Sequence, residues 1–468
     1  VSEIGYISNR KVLKYYEKSE IAIGNSRWEE PLGRIAIESS SRKCCPIISN
    51  VGGLIESKDI SLVLKQNNTN SILKILKKLT ENKKLLRKYQ NKFYNNNNFD
   101  IKNISKSIDA IREDILDYND INYQNLKILH VTNFNERFDG RLHYNTSKRL
   151  NNGFIRNGHN VLTVSDRDII YYNKSITDIN GIKKFNEKVF KTFLNFKPNL
   201  VVLGHADSLM KETIIKMKKI KKIKICQWFL DPLIKTGPDY LKNKNRILSL
   251  ENFIDASFLT TDPKALNFKI KNSYYIPNPS DISFEFLDNS KSKQKKDLFF
   301  AMSHGVHRGI LKKGKFDERE IFLRKLEKKI KNIDYDFFGY NKKEPLWAND
   351  FLESIKNYDM GLNLSRGKPL KYYSSDRIVQ IIGNGLLCFI NKDTKLSEII
   401  PKNCAVYYKD INDLVRKINF YKKNLRKLKK IANNGRKFYN LNFNSSVVSQ
   451  FILDEVFNLK KKYNYLWD

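Results

Sequence analysis

The chain has 468 residues and a formal net charge of +36, from 86 Lys and Arg against 50 Asp and Glu. Hydrophobic residues at 41% and aromatic residues at 12% are enough to build packed cores, which excludes a chain that is disordered throughout. No apolar run approaches the roughly 20 residues that a bilayer-spanning helix requires, so we predict no such helix.

The excess of positive charge can have three sources. One is the Lys-, Asn- and Ile-rich usage of an A+T-rich genome, and another is attraction to an anionic membrane surface or a phosphorylated substrate. A nucleic-acid partner is the third, but the basic residues are spread over predicted helix faces, and no helix-turn-helix, zinc-finger or RNP pattern occurs. We therefore expect no nucleic-acid partner and leave the first two sources open.

The cysteines are few, odd in number and lie mostly in apolar runs typical of strands. They are Cys44, Cys45, Cys226, Cys388 and Cys404. No Cys-x-x-Cys or Cys/His spacing typical of zinc occurs, so we predict reduced core cysteines, no bound metal and a cytoplasmic protein.

The first elements form the end of an α/β domain. The apolar run 21–26 predicts a strand and 34–42 predicts a helix, with a turn between them. A short buried strand at 44–49 then leads into a glycine pair. Because the chain opens inside these elements, we expect this first domain to be truncated.

Two segments of the chain resemble each other in sequence. Both 71–99 and 413–443 are amphipathic Lys-rich helices that end in KFY, followed by an Asn-containing turn and Phe. The strand-like CCPIIS at 44–49 likewise resembles LLCFIN at 386–391. Chance similarity between Lys-rich helices is one explanation. The shared order of helix, strand, acidic turn and long helix favours two copies of one α/β domain, the second complete.

From residue 126 a new α/β domain opens. Its predicted strands are apolar runs with polar ends, at 126–134, 199–207, 222–232 and 256–262. The segment 274–281 looks like an interdomain crossing, and a third sheet starts at 297–305. Strands that alternate with helices predict parallel, doubly wound sheets of the Rossmann-like α/β kind.

The predicted organisation has five segments. They are a truncated domain at 1–117, a linker at 118–125, a first complete Rossmann-like domain at 126–283, a second at 284–450, and a C-terminal helix and tail at 451–468. We expect the tail to pack back across the hinge between the two complete domains.

Ligands of such sheets bind outside the carboxyl ends of the strands, next to helix N-termini with free backbone N–H groups. In the first domain, the turn before the predicted helix occupies this place. Gly33 permits close approach, and the amides of Leu32 and Gly33 are candidate donors to a phosphate or a sugar hydroxyl. Seven residues separate Glu30 from Glu38, one before the helix and one inside it, so both are expected to face one ligand.

This pattern, Glu30-Pro-Leu-Gly with Glu38, then Pro46-Ile-Ile-Ser and Gly52-Gly53-Leu-Ile-Glu56, resembles the E-x7-E signature of family-4 retaining glycosyltransferases, which have the GT-B fold. The resemblance covers about residues 1–117. It implies that Glu30 contacts the sugar of a nucleotide-sugar donor and that Glu38 binds the ribose. A Rossmann-like helix with a surface pair of glutamates is the alternative interpretation.

Residues 126–455 resemble a second, more divergent GT-B glycosyltransferase. The similar segment is SSDRIVQIIGNG at 374–385, in which an arginine precedes a helix that ends in a glycine turn. At an offset of 342 residues Glu38 falls on Gln380, and Glu30 falls near Tyr372, so both signature carboxylates are absent. The resemblance therefore implies either a different donor-binding set or weakened catalysis.

Candidate donor-binding residues of this second unit lie in three loops. Loop 303–309 offers glycines and an arginine fork for a diphosphate, loop 363–367 follows another strand, and the third loop precedes the helix in 374–385. The candidates are His304, Arg308, Lys312, Ser365, Arg366, Ser375, Asp376, Arg377 and Gln380. An ordinary basic loop is the alternative for the first loop, and a structural cap with an ion pair is the alternative for Asp376 and Arg377.

The acceptor side is predicted after the first strand of the 126–283 domain. Asp139 or His143 is the candidate catalytic base, because both have suitable protonation ranges, and Gly140 and Arg141 lie beside them. Asp231, which ends another strand, is a further acceptor-side candidate. A satisfied surface histidine is the alternative for His143.

Together, the resemblance implies a tandem, hexosyltransferase-type glycosyltransferase. Its partners would be a nucleotide-sugar donor and a glycan or lipid-linked acceptor in cell-surface polysaccharide synthesis. GT-B transfer generally needs no bound metal, so we expect no cofactor and no metal. We expect a cytoplasmic location with peripheral contact to the inner face of the cell membrane. A nucleotide-sugar epimerase on the same fold, or a second unit that only binds or acts as a scaffold, are the alternatives.

Overall fold

The computed structural model of the chain describes residues 3–97, 99, 101–119, 123–176, 178–206, 208–235, 239–291, 293–303 and 318–468. It divides into two compact units, Val1–Asp120 and Ile121–Asp468. Within the described ranges, no helix is both long enough and apolar enough to cross a membrane.

The first unit is a small three-stranded sheet covered by helices. Its strands are β1 (Ile21–Gly24), β2 (Cys45–Ile48) and β3 (Leu62–Val63), and its helices are α1 (Asn9–Lys18), α2 (Arg34–Ser40), α3 (Thr69–Glu81), α4 (Lys83–Asn96) and α5 (Ile101–Asn119). The strands are parallel in the order β1-β2-β3. Strand β2 is buried along its whole length, and Leu79, Leu86 and Phe93 from α3 and α4 pack into the same core.

The single long helix predicted from about residue 71 is two helices. The break lies at Asn82, whose backbone is not helical (φ −120°, ψ 84°) and whose side chain accepts a hydrogen bond from the Leu85 amide. Asparagine side chains compete with the helix backbone in this way, and they therefore favour caps over helix interiors. The later segment breaks at the matching residue, Asn424.

The second unit contains two parallel sheets. The six-stranded sheet has the order β5-β4-β6-β7-β8-β9, with β4 (Lys127–Thr132), β5 (Asn160–Ser165), β6 (Leu200–Gly204), β7 (Lys224–Phe229), β8 (Ala256–Leu259) and β9 (Ser273–Tyr275). Its helices are α6 (Thr146–Arg156), α7 (Asp166–Tyr172), α8 (Ile182–Phe196), α9 (Lys211–Ile220) and α10 (Tyr240–Leu248).

The five-stranded sheet has the order β11-β10-β12-β13-β14, with β10 (Lys296–Ala301), β11 (Tyr335–Phe338), β12 (Tyr358–Asn363), β13 (Leu387–Asn391) and β14 (Val406–Tyr408). Its helices are α11 (Glu318–Glu327), α12 (Ala348–Ile355), α13 (Arg377–Gly383), α14 (Ile411–Lys423), α15 (Leu425–Asn442) and α16 (Ser445–Phe457). The predicted α/β class with parallel, doubly wound sheets is confirmed.

Both large sheets contain a point at which the strand order reverses. In the six-stranded sheet β4 lies between β5 and β6, and in the five-stranded sheet β10 lies between β11 and β12. The loops that leave two such strands run in opposite directions, which opens a crevice at their carboxyl ends. These two crevices are where side chains for binding and chemistry are expected to meet.

The repeat predicted from the sequence has a counterpart in the structure. Helix α3 begins at Thr69 and α4 begins at Lys83. The residues 342 positions later, Ile411 and Leu425, are the first residues of α14 and α15. The strand order β1-β2-β3 likewise matches β12-β13-β14, and all of these strands are parallel. The first unit therefore has the topology of the last three strands of the five-stranded sheet and the helices that follow them.

The C-terminal helix α16 packs on α6, which belongs to the six-stranded sheet. The Ser449 hydroxyl donates to the Leu150 carbonyl at 3.1 Å, and a Cβ on Gly153 would lie 2.1 Å from the Ser445 carbonyl oxygen. A side chain at Gly153 would separate the two helices. The helix begins six residues before the predicted start at residue 451.

The segment read as an interdomain crossing, 274–281, differs from the prediction at its start. Tyr274 and Tyr275 belong to β9, which pairs with β8 as the last strand of its sheet. The prolines that follow suit a strand end, because proline cannot donate to a ladder. All five cysteines are buried and unpaired, as predicted.

Candidate functional site

A cavity of about 500 Å³ lies at the carboxyl end of β1 in the first unit. It is lined by Gly24, Asn25, Ser26, Arg27, Trp28, Glu30, Ile35 and Leu54. Trp28 leaves 78% of its surface exposed, and Glu30 is partly buried. The cavity thus combines a free aromatic face, an arginine and a carboxylate at the strand end where the sequence predicted a ligand.

The turn that carries Glu30 rests on a glycine pair. The Gly53 amide donates to the Glu30 carbonyl at 2.6 Å, and a Cβ on Gly53 would lie 1.8 Å from the Pro31 carbonyl oxygen. Gly52 has φ +47°, a left-handed conformation that glycine adopts at little cost. Only glycine therefore fits at both positions without moving the turn.

The second carboxylate of the E-x7-E pattern is held elsewhere. Glu38 accepts from the Asn9 amide group at 3.0 Å and pairs with Arg34 at 2.6 Å, and its side chain is 16% exposed. Of the two glutamates, Glu30 is the one that lines the cavity. That both carboxylates face one ligand stays a prediction, and Glu38 is held by Arg34 and by Asn9 of α1.

The two other residues predicted in this turn lie beside Glu30. Gly33 precedes α2, and a Cβ there would lie 3.2 Å from a carboxylate oxygen of Glu30 and 2.0 Å from the Leu54 side chain. Leu32 is 43% exposed. Gly33 is thus fixed by close packing, and Leu32 presents its side chain to solvent.

In the second unit, Arg377 spans the switch point of the five-stranded sheet. Its guanidinium donates to the Ala301 carbonyl at 2.8 Å, to the Leu364 carbonyl at 2.7 Å and to the Ser375 hydroxyl at 2.9 Å. It also lies 4.6 Å from the centre of the Phe300 ring. These contacts tie the ends of β10 and β12 together, which gives Arg377 a structural role beside the predicted role in donor binding.

The other candidates near this point form a polar loop. The Ser375 amide donates to the Ser365 hydroxyl at 3.1 Å, and Arg366 is exposed at the end of β12. Gln380 is partly buried one turn into α13. Ser365, Arg366 and Ser375 therefore lie near the end of β12 and Gln380 lies in α13, and their role in donor binding stays a prediction.

Asp376 does not cap its own helix, contrary to one interpretation. Its carboxylate accepts from the Thr146 hydroxyl at 2.6 Å and lies 3.6 Å from a guanidinium nitrogen of Arg149. Arg149 is fully buried and also donates to Glu285. Burial opposes a charge on Arg149, but Glu285 and Asp376 outweigh it and hold the pKa of Arg149 above its usual value.

The acceptor-side loop follows β4. Asp139 and Gly140 have φ of +52° and +79°, and both are exposed. The exposed His143 ring places Nδ1 3.1 Å from the Gly140 carbonyl, and the Arg141 carbonyl accepts from the Ala348 amide at 3.1 Å. These residues therefore form a tight, solvent-facing turn that touches the beginning of α12.

Asp168 fixes the start of this loop. Its carboxylate accepts from the Glu136 amide at 2.8 Å, from the Arg137 amide at 3.3 Å and from the Ser165 hydroxyl, and it pairs with the Arg137 guanidinium. Burial raises the pKa of Asp168, but these hydrogen bonds outweigh it and leave the pKa below its usual value.

Two Asp-x-Asp tripeptides lie at 166–168 and 334–336, and neither was predicted to bind a metal. Asp168 and Asp336 use their carboxylates within the protein, Asp168 in the loop described above and Asp336 with Lys296, Lys343 and Tyr358. Among the described residues, no group of three or more His, Cys, Asp or Glu is arranged to hold a metal ion.

Asp231 lies at the end of β7 between two basic side chains. One of its oxygens is 3.5 Å from His205 Nδ1 and 3.6 Å from an Arg246 guanidinium nitrogen. His205 Nε2 accepts from the Leu230 amide at 3.3 Å, and its Nδ1 also lies 3.1 Å from a guanidinium nitrogen of Arg246. The His205 ring also stacks on Phe229 with centroids 4.4 Å apart.

The same carboxylate is close to the five-stranded half of the unit. Burial raises the pKa of Tyr373, in the loop between β12 and α13, and the negative charge of Asp231 raises it further. His205 has φ +53°, an uncommon backbone conformation for a residue other than glycine. A polar cluster of Asp231, His205 and Arg246 thus lies after β7, and Ile234 of the same segment packs against Gly367 in the loop that holds predicted donor-binding residues.

Sequence reasoning missed His205, Arg246, Arg149 and Glu285. The strand end GHAD at 204–207 gave a usable signal for His205, because polar residues at the carboxyl end of a buried strand mark ligand-binding edges. Arg149 and Arg246 lie in Lys- and Asn-rich helices, and no sequence pattern distinguished them from their neighbours. Three predicted donor-binding residues, His304, Arg308 and Lys312, lie in 304–317, outside the described residues.

Two family models match the chain. Residues 1–97 match the model described as Glycosyl transferases group 1, and residues 318–454 match the model described as Glycosyl transferase-like. The first match covers most of the first unit, and the second covers β11 to β14. The chain therefore resembles GT-B glycosyltransferases in two separate regions. No curated protein matches the chain in sequence.

Solved structures are similar at low identity. HepE of Anabaena in complex with UDP-glucose is 13% identical over 71% of this chain and 100% of its own, with a TM-score of 0.45. Sucrose-phosphate synthase of Thermosynechococcus elongatus is 8% identical over 70% and 98%, with a TM-score of 0.47. Phage T4 β-glucosyltransferase is 12% identical over 71% and 100%, with a TM-score of 0.42. At these low identities and TM-scores the solved structures carry no argument, so the fold assignment rests on the parallel strand order described above.

Proposed function

We propose that this chain transfers a sugar, of the hexosyl type, from a nucleotide-sugar donor to a glycan or lipid-linked acceptor. Matches to two glycosyl transferase family models, in separate regions, support the reaction class. The proposed setting is the synthesis of a cell-surface polysaccharide in the cytoplasm, at an anionic membrane surface. The proposed transfer uses no bound metal and no separate cofactor.

The observation that carries the proposal is the Asp231 carboxylate, held by two basic side chains after β7, in a segment whose Ile234 side chain packs against Gly367 in the loop after β12. In the proposed reaction this carboxylate accepts the proton of the acceptor hydroxyl. The hydroxyl oxygen attacks the anomeric carbon, and the bond from that carbon to the donor diphosphate breaks. His205 and Arg246 are positioning residues, since they fix the carboxylate before the acceptor arrives.

Asp231 is better supported as the base than Asp139 or His143. Asp139 and His143 are exposed on a turn at which a Cβ on Gly140 would have no neighbour within 4 Å. Asp231 has 35% of its side chain exposed, which leaves an oxygen accessible while two partners hold the group. We therefore assign Asp139 and His143, with Gly140 and Arg141, to the outer wall of the acceptor side.

The donor in the second unit is proposed to lie against the loop after β12. Ser365 and Ser375 offer hydroxyls, Gln380 offers an amide for a ribose hydroxyl, and Arg366 offers a charge for the departing diphosphate. The cavity beside Glu30 in the first unit is proposed as a separate nucleotide-sugar site. Its exposed Trp28 face suits a base or a sugar ring.

A binding titration tests the donor assignment. The full chain is titrated calorimetrically with UDP-, GDP- and ADP-sugars, alongside the variants Glu30→Gln and Ser365→Ala/Arg366→Ala. We expect at least one donor to bind at two sites, each weakened by one of the variants. The absence of binding by every donor would refute the proposal. Conversion of a donor into its epimer with no acceptor present would instead support the epimerase alternative.

The alternative that the second unit only binds or acts as a scaffold has one observation in its favour. Gln380 stands where the first unit has Glu38, and the Arg377 guanidinium bonds to main-chain carbonyls. If the titration gives one site, and only Glu30→Gln weakens it, this alternative is preferred.

A further inference from the structure

The connection between α7 and α8 exposes an unusual group of apolar side chains. Ile176 is 97% exposed, Ile179 is 77%, Tyr172 is 64% and Tyr171 is 58%. Single exposed apolar residues are common on soluble proteins, but four of them within residues 171–179 indicate a surface that contacts a partner. We call the described residues of 169–191 (all but residue 177), which include the first part of α8, the α7–α8 tip.

Hydrogen bonds and close packing hold the described residues on both sides of Ile176. Ser175 and Asp178 exchange two main-chain hydrogen bonds of 3.1 Å and form an antiparallel bridge. The Asp178 carboxylate accepts from the Lys184 amide at 2.9 Å. Gly181 packs so closely that a Cβ there would lie 2.3 Å from the Ile170 carbonyl oxygen. Ile176 is therefore exposed next to residues whose main chain is held in place.

A basic groove lies beside these apolar residues. Its volume is about 390 Å³, and its lining includes Lys184, Lys188 and Lys191, with Glu187 as its acidic residue. Lys174 and Lys183 are exposed on the same segment. Residues 174–191 thus hold five lysines against Asp178 and Glu187, next to four exposed apolar side chains.

We propose that the α7–α8 tip docks on an anionic lipid bilayer, with Ile176 and Ile179 in the apolar boundary and the lysines of the groove on lipid phosphates. This inference rests on the proposed membrane location and not on the proposed chemistry. Apolar side chains beside lysines are the composition that binds at bilayer interfaces, where burial of CH₂ groups and attraction to anionic headgroups add.

Other ligands account for only part of the surface. A free phosphate or phosphorylated sugar would use the lysines but would leave Ile176 and Ile179 without a role. A nucleic acid would use the lysines and the tyrosine rings, but isoleucine offers neither a hydrogen bond nor a stacking face to bases. A bilayer uses all of these groups, which is why we commit to it.

The tip is connected to the acceptor-side loop. Helix α7 carries Asp168, whose carboxylate binds the amides of Glu136 and Arg137 at the start of that loop. A bilayer that holds the end of α7 therefore also sets the position of the loop that follows β4. This suits an acceptor that is itself anchored in the membrane.

Sedimentation with vesicles tests the proposal on the full chain. Vesicles of phosphatidylcholine alone are compared with vesicles of phosphatidylcholine and phosphatidylglycerol in equal parts. We expect binding to the anionic vesicles, and we expect Ile176→Ser/Ile179→Ser to weaken it about tenfold or more, since several apolar carbons are lost from the interface. Lys188→Glu/Lys191→Glu is expected to weaken it by about fivefold or more for each lysine.

Matched controls on α15 separate this surface from general charge and apolarity. Leu441→Ser, at a residue that is 73% exposed, and Lys430→Glu/Lys437→Glu are expected to bind vesicles like the parent chain. The proposal would be overturned if the control variants lost as much vesicle binding as the tip variants. It would also be overturned if Ile176→Ser/Ile179→Ser bound vesicles as tightly as the parent chain. A thermal unfolding midpoint equal to that of the parent chain shows that a variant is folded.

The remaining outcomes identify other partners and also overturn the proposal. In one such outcome the parent chain does not bind anionic vesicles but binds inorganic phosphate or an oligonucleotide through Lys188 and Lys191. Another is a lipid-free mass that falls from dimer to monomer in Ile176→Ser/Ile179→Ser. Donor titration of the same variants is expected to be unchanged, so failure of the lipid proposal is distinguishable from failure of the proposed transferase.

Discussion

The three strands of the first unit and the last three strands of the five-stranded sheet have the same parallel order, but the loops at their carboxyl ends differ in chemistry. In the first unit the Gly53 amide donates to the Glu30 carbonyl at 2.6 Å. In the second unit the Tyr372 amide donates to the Thr394 carbonyl at 2.7 Å, and these residues match Glu30 and Gly52 at the same offset. The two loops are hydrogen-bonded in both units, with the direction of the bond reversed, while the carboxylate is replaced.

The second unit uses its loop to join its two halves. Asp376 binds Thr146 and lies near Arg149, and the Tyr275 hydroxyl donates to the Tyr372 carbonyl at 3.3 Å. In the first unit, the described loop closes on its own glycine pair and borders a cavity. The comparison teaches that one backbone arrangement supports either a carboxylate site or a bridge between two halves of a larger unit.

The largest expected effect is on turnover in the second unit. Asp231→Asn keeps the shape of the side chain but removes the base, so acceptor-dependent release of nucleoside diphosphate should fall about 100- to 10,000-fold. Donor affinity should change little. Asp139→Asn is the matched control and should keep most of the activity. If only Asp139→Asn lost activity, the catalytic base would have to be assigned to the loop after β4 instead.

A large effect on stability is expected at Arg149. Arg149→Met leaves Glu285 buried without its partner, which should lower the free energy of unfolding of the second unit by about 3–5 kcal/mol. The Arg34–Glu38 pair of the first unit, whose arginine side chain is 72% exposed, should contribute about 1 kcal/mol or less, which Arg34→Met tests. Urea unfolding measures both. Equal costs would show that burial of the bridge is unimportant.

The two units should also differ in their response to acid. All six histidines lie in the second unit, and burial lowers the pKa of His130 to about 4. In the unfolded chain a histidine binds a proton near pH 6.5, so His130 destabilises the fold as the pH falls from about 6.5 towards 4. Between pH 7 and pH 5 its contribution should be a loss of about 2 kcal/mol.

The variant His130→Gln measures this contribution. Glutamine can still accept from the Trp228 indole, which His130 Nε2 accepts at 3.2 Å, but it does not titrate. Urea unfolding at pH 7 and pH 5 should show a smaller loss in the variant than in the parent chain. An equal loss in both proteins would show that the acid sensitivity of the second unit has another source.

The smallest expected effect restores a carboxylate. Gln380→Glu places the acidic group of Glu38 at the matching position of the second unit. A ribose hydroxyl binds a charged acceptor more strongly than an amide, so donor affinity should rise about fivefold. Calorimetry in a Glu30→Gln background isolates the second unit. No gain would mean that α13 does not face the ribose.

The sequence predicted the sheets better than the site. Strands β4, β6 and β7 are nearly continuous apolar runs, so their place in a parallel sheet could be read directly. The break at Asn82 was missed because the apolar period continues across it, and only the cap reveals it. Asp231 was predicted from its strand end, but its partners His205 and Arg246 come from other elements, and no local pattern reports such pairing.

Turnover by three proteins compared side by side tests the central claim, that the second unit catalyses transfer without the E-x7-E carboxylates. The proteins are the parent chain, Glu30→Gln/Glu38→Gln and Asp231→Asn, each assayed for acceptor-dependent release of nucleoside diphosphate from a donor that binds. We predict that the parent and Glu30→Gln/Glu38→Gln turn over at similar rates and that Asp231→Asn is nearly inactive. Loss of activity in Glu30→Gln/Glu38→Gln, with full activity in Asp231→Asn, would contradict the account.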